Sequence, residues 1–114
     1  MLQIPFWGQK IYNDEKNGIE DYRKGQYARA FLIFENTAKL GLKGSQYYLG
    51  FMYLKGHHVE MSIETGMVWL GVAAELEIGD WVALYEQIYV KLDAAQQNLI
   101  QSKLAYYISK YGMA

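Results

Sequence analysis

Ser45-Gln46-Tyr47-Tyr48-Leu49-Gly50-Phe51-Met52-Tyr53-Leu54-Lys55-Gly56-His57-His58-Val59 is the stretch on which the fold turns. It predicts a helix over about 45–55 that stops at Gly56, because glycine takes the left-handed conformation that ends many helices. A second helix is predicted over about 63–77, with Ser62 as its N-cap. There Gly66 and Ala73-Ala74 are small enough to let neighbouring helices approach, and Trp69 fills the gap. Helix, glycine turn and second helix make one unit.

The unit recurs along the chain, as in repeat proteins. A shift that lays Ala30 on Gly66 also lays Ile33 on Trp69, Ala38 on Ala74 and Leu40 on Leu76. It further lays Met52 on Ile88, Tyr53 on Tyr89 and Lys55 on Lys91. Tyr22-Arg23-Lys24-Gly25 likewise reads like Tyr53-Leu54-Lys55-Gly56, at a shorter offset because the turn after Gly25 is shorter.

Working outward gives six helices. The first is predicted over about 8–23, ending at Gly25, and the second over about 26–40, ending at Gly41. Ala30, Ile33, Phe34, Thr37 and Ala38 share one face of the second. The fifth is predicted over about 80–91. Asp93-Ala94-Ala95-Gln96 reads as a capping box opening the sixth, about 94–110. In that helix Leu99, Leu104, Tyr107 and Ile108 form an apolar stripe. Gln97, Gln101, Lys103 and Lys110 form the polar outer face that the end of a stacked array needs. Pro5 is the only proline, so no later helix meets an obligatory break. The expected fold is all-α: a short α-α superhelix of about three antiparallel helix pairs, in one domain over 1–114. Its strongest repeat lies at about 41–76, and the helix at about 94–110 caps it.

The segment from Gly41 to Ala74 resembles the Sel-1-like repeat, a relative of the tetratricopeptide repeat. That pattern is roughly A-x-x-x-L-G-x-x-Y-x-x-G-x-G-V, then A-x-x-W-x-x-x-A-A-E. Leu49-Gly50, Tyr53, Gly56, Val59, Trp69 and Ala73-Ala74-Glu75 meet it. Gly25-Gln26-Tyr27-Ala28-Arg29-Ala30 resembles the shorter tetratricopeptide-type turn. Three positions depart. His58 replaces the second glycine, which predicts a locally altered turn. Gly66 replaces alanine, which predicts a fourth helix looser by up to about 1 kcal/mol. Glu77 stands where a closing glycine is expected, which leaves the junction to the fifth helix less defined. The resemblance implies an adaptor or assembly protein whose first helices line a concave groove for a partner peptide or domain. The chain has no cysteine, unlike the disulfide-rich secreted members of that family.

Composition agrees with a folded chain. At 114 residues it buries roughly two-thirds of its unfolded surface. An apolar share of 52% against 20% charged excludes global disorder. A net charge of −1 argues against nucleic acid, which requires a cationic face. The lack of cysteine excludes disulfides and thiolate chemistry. No apolar run nears the ~20 residues of a membrane span, and Met1 to Trp7 lacks the pattern of a signal peptide. The expected compartment is the cytoplasm of a bacterial-type cell, or the periplasm if a signal peptide has been removed.

With Leu49, Gly50 and Tyr53 turned inward, the opposite face of the third helix carries Tyr48, Phe51, Met52 and Lys55. The equivalent positions are Asn17, Glu20, Asp21 and Lys24 in the first helix, and Leu84, Gln87, Ile88 and Lys91 in the fifth. Tyr48, Phe51, Met52, Lys55, Lys24, Glu20, Gln87 and Lys91 are therefore the candidate partner-binding residues. Lys24, Lys55 and Lys91 form a ladder that suits an acidic partner segment. They are equally lysines at helix C-termini, where the dipole favours cations. Tyr48 and Phe51 either pack on an adjacent helix or form a binding hot spot.

His57-His58-Val59-Glu60 supplies too few well-placed ligands for zinc and reads as a surface loop. Glu75 and Glu77, two apart on a helix, do not face each other. Asp14-Glu15 and Glu20-Asp21 read as a solvated acidic edge. No phosphate loop, nucleophile elbow or metalloprotease helix appears, so no catalytic residue, metal or cofactor is expected. The expected function is a non-enzymatic scaffold or adaptor for another protein, regulatory or toxin-neutralising. The alternative is a self-associating structural repeat protein, motivated by Phe6-Trp7 and Tyr106-Tyr107.

Overall fold

A computed structural model describes residues 6–76 and 80–112, with side chains from Gly8 to Glu75 and from Asp80 to Gly112. Glu77 and the side chains of Phe6 and Trp7 lie outside the described residues. Every regular element among those residues is a helix: α1 (Phe6–Arg23), α2 (Tyr27–Lys39), α3 (Lys43–Lys55), α4 (Ile63–Ala73), α5 (Asp80–Tyr89) and α6 (Ala94–Tyr111). A single 3-10 turn, Ala74–Leu76, extends α4. None of these helices is long and apolar enough to cross a membrane.

The helix ends follow local chemistry. Gly25, Gly41 and Gly56 all have positive φ, as the three predicted stops require. Each stop closes in the same way. Gln26 N donates to Asp21 O at 2.8 Å, Leu42 N to Thr37 O at 3.2 Å and His57 N to Met52 O at 3.0 Å. These bonds use carbonyls that the last helical turn leaves free. Ser62 Oγ accepts from Thr65 N at 3.1 Å and opens α4. Asp93 and Gln96 form the reciprocal capping box of α6.

His58 sits at φ +70°, in the left-handed conformation glycine favours, so the histidine carries the strain there. Gly66 stands at a close approach of two helices. A Cβ there would lie 2.7 Å from Leu54 Cγ and 2.8 Å from the Gly50 carbonyl oxygen. The missing side chain lets α3 and α4 touch backbone to backbone.

α1 packs on α2, α2 on α3, α3 on α4, and α4 on both α5 and α6. α4 is central: Gly66 to Ala73 are all buried, as this unbroken apolar run demands. One core cluster joins Ala30, Phe31, Phe34, Ala38, Leu49, Met52 and Trp69, and a second joins Met67, Val68, Leu70 and Ile100. Phe31 is buried where Ile33 was expected, and Ile33 is half-buried. In α6 the buried residue is Ile100, 1% exposed, whereas Leu99 is 46% exposed. Gln97, assigned to the outer face, is half-buried and donates from Nε2 to Tyr89 O at 2.8 Å.

Two polar ties cross the core. Glu15 is no solvated edge residue: its carboxylate accepts from Ser45 N at 2.7 Å and Ser45 Oγ at 2.6 Å. Thr37 Oγ1 joins Ser45 Oγ at 2.6 Å, so α1, α2 and α3 meet at one buried knot. Lys43 Nζ donates to Val72 O at 2.9 Å and to Glu75 Oε1 at 2.8 Å, fixing the start of α3 to the end of α4.

Candidate protein-binding surface

Tyr47, Phe51 and Lys55 lie four residues apart on α3, so they form one row along it. That row meets rings from two other helices. Phe51 lies edge-on to Tyr22 of α1, with centroids 6.5 Å apart. It stacks on Tyr47 at 6.2 Å, and Tyr47 stacks on Trp81 of α5 at 5.4 Å. Tyr22, Tyr47, Phe51 and Trp81 thus make a continuous aromatic strip across α1, α3 and α5, and all four are half-buried. Lys55 Nζ sits 5.5 Å over the Phe51 ring.

The α1–α2 turn and the loop after α3 brace one end of the strip. The Tyr22 hydroxyl lies 2.9 Å from His57 Nδ1, and the His57 ring stacks on Tyr27 at 4.2 Å with 3° between planes. Burial, then the Tyr27, Tyr48 and Tyr47 phenols, pushes the Tyr22 hydroxyl up to about 12. Burial, then Tyr48 and Asp80, also raises Tyr47. The strip is therefore uncharged at neutral pH. It offers flat apolar rings with polar tips, a combination suited to a contact surface.

Of the candidates on α3, Phe51 is half-buried and Lys55 is exposed, whereas Met52 is 0% exposed inside the first core cluster and out of a partner's reach. Tyr48 is half-buried and stacks on Phe34 at 5.1 Å. The physical reason is that α3 lies between α2 and α4. The face opposite Leu49 and Gly50 is thus turned largely onto α2 and not to solvent.

Lys24 pairs with Glu20 at 3.2 Å beside open hollows on α1. Lys55 covers Phe51. Gln87 on α5 and Lys91 just after it are exposed. All three lysines stand at the ends of their helices.

Tyr22, Tyr47 and Trp81 of the strip, and Tyr27 and His57 that brace its end, are the residues that sequence reasoning missed. The spacing of Tyr47, Phe51 and Lys55 was a usable signal. Nothing local to Trp81 announces that it reaches Tyr47. Among the described residues, no three His, Asp or Glu side chains cluster as metal ligands. Compared with protein-family models, with curated proteins and with solved structures, the chain matches none.

Proposed function

We propose that the chain is a short Sel-1-like helical array, built as three antiparallel helix pairs, that acts as a non-enzymatic adaptor. A partner protein lays a segment along the aromatic strip. The observation that carries this reading is the unbroken run of Tyr22, Phe51, Tyr47 and Trp81 across three helices that are not consecutive in the chain. Half-exposed aromatic rings on rigid helices lose little side-chain entropy when they bind, and such residues dominate interface energetics. The array is supported by the Gly50–Gly66 contact between α3 and α4. It is also supported by the bonds from Gln97 and Gln101 of α6 to Tyr89 and Tyr85 of α5.

Affinity capture from the native cell, read by mass spectrometry, tests this reading. The bait is wild type beside a Phe51→Glu/Trp81→Ala variant whose fold is verified by circular dichroism. A partner held by wild type and lost by the folded variant is the expected result. A partner retained by both, or no partner for either, sinks the assignment of the strip.

A further inference from the structure

α6 repeats itself every four residues along the side that meets its neighbours. Gln97 Nε2 donates to Tyr89 O at 2.8 Å, and Gln101 Nε2 to the Tyr85 hydroxyl at 3.4 Å. The two tyrosines are also four apart, and their rings stack with centroids 5.6 Å apart. Ile100 is buried against Met67, Val68 and Leu70. Leu104, one turn on, lies against Gly71, where a Cβ would come within 2.8 Å of Leu104 Cδ1. Ile108 continues the row. Tyr107 and Tyr111 both meet the Trp69 ring, at 5.2 and 5.3 Å. Residues four apart share a helix face. A slip of α6 by one turn, about 6 Å, therefore sets glutamine in the place of glutamine, aliphatic in the place of aliphatic and tyrosine in the place of tyrosine. The Lys103–Glu64 ion pair marks the present seat, but Lys103 is 51% exposed and such pairs contribute little. Residues 93–96 are exposed, so a turn can be lost or gained there without disturbing either core cluster.

One buried contact does separate the seats. Gln46 of α3 is 0% exposed, and its Nε2 donates to Tyr111 O at 2.8 Å and to Ala38 O at 3.0 Å. Tyr111 ends α6, so its carbonyl has no donor within the helix. A slip one turn forward brings up Tyr107 O, which the Tyr111 amide already occupies. A slip one turn back carries Tyr111 O away. We infer that Gln46 is a positioning residue that fixes the register of α6 on the rest of the fold. Its Oε1 has no partner among the described residues, and a buried acceptor left unpaired costs stability. Stability therefore does not account for an amide at this place, whereas selection of one seat does, as single buried polar groups do in coiled coils. The inference does not depend on the role of the aromatic strip.

The distance between two spin labels tests it in the full chain. The chain has no cysteine, so Lys39→Cys/Ser102→Cys labels only those two exposed positions, on α2 and α6. With Gln46 present, pulsed electron double resonance is expected to give one distance. Gln46→Met keeps the length and volume of the side chain and loses both bonds. It is expected to give a second resolved distance, displaced by several ångströms and holding at least about a tenth of the molecules. Ala38 O keeps a donor in Gly41 N at 3.1 Å, so the variant stays folded, which circular dichroism checks. Gln46→Leu is the second variant and is expected to behave alike. A single unchanged distance in both variants overturns the inference. So does a broadened distance without a second maximum, which means a frayed α6. Failure of both variants to fold overturns it too, by making Gln46 a determinant of stability.

Discussion

At Gly66 two opposing effects decide the sign of a substitution. Alanine is the better helix former by up to about 1 kcal/mol. Its methyl would sit 2.8 Å from the Gly50 carbonyl oxygen, and a backbone atom cannot swing aside. Overpacking of this kind typically costs about 1–3 kcal/mol. Gly66→Ala is therefore expected to lower stability by about 1–2 kcal/mol, read as a lower urea midpoint at unchanged slope. A rise would mean that α3 and α4 part without cost. His58 runs the other way. Its left-handed backbone costs about 1–2 kcal/mol, while its ring contact with Phe31, centroids 5.4 Å apart, returns a part. His58→Gly is expected to raise stability by up to about 1 kcal/mol, read as a slightly higher thermal midpoint. An unchanged or lower midpoint would show that the Phe31 contact outweighs the strain.

At the scale of elements, α3 depends on a cap from another helix. Its N-cap is Leu42, which has no side-chain acceptor. Glu15 of α1 supplies one by accepting from Ser45 N, and its charge suits a helix N-terminus. Glu15→Ala is expected to cost about 1.5–3 kcal/mol, with faster amide exchange at the start of α3 than elsewhere. Uniform exchange would argue against a capping role. The contact of α1, α2 and α3 around Tyr22 sets an alkaline limit. The folded state holds the Tyr22 proton to about pH 12, whereas an unfolded tyrosine releases it near 10. Burial of the neutral phenol thus stabilises the fold fully below about pH 10, and that contribution is lost as pH rises towards 12. Tyr47, Tyr53 and Tyr85 are raised as well, with burial the first cause in each, and act with the same sign. Urea titrations at pH 8 and pH 11 should show a smaller alkaline loss for Tyr22→Phe than for wild type. Equal losses would place the alkaline limit elsewhere.

At the scale of the molecule, α4 belongs to both core clusters. Trp69 joins the cluster of α2 and α3, while Met67, Val68 and Leu70 join that of α6. α4 thus links the two clusters through its own side chains. Unfolding followed by tryptophan fluorescence and by circular dichroism should therefore coincide in one transition, and separated midpoints would show that the two clusters melt apart. What the sequence determined by itself was local. Glycine stops, the Ser62 cap, the Asp93–Gln96 box and helical periodicity are written in neighbouring residues, and they placed all six helices to within a few residues. What only the tertiary structure decided is which faces meet. Met52 is buried and Phe51 half-exposed although they are adjacent, because α3 has neighbours on both α2 and α4. Gly66 is a contact and not a weakness, because Gly50 lies against it. Trp81 joins the strip through Tyr47, far away in the chain. Capping and periodicity act over one or two turns, whereas burial and close approach depend on atoms brought in from remote segments, which no local pattern encodes.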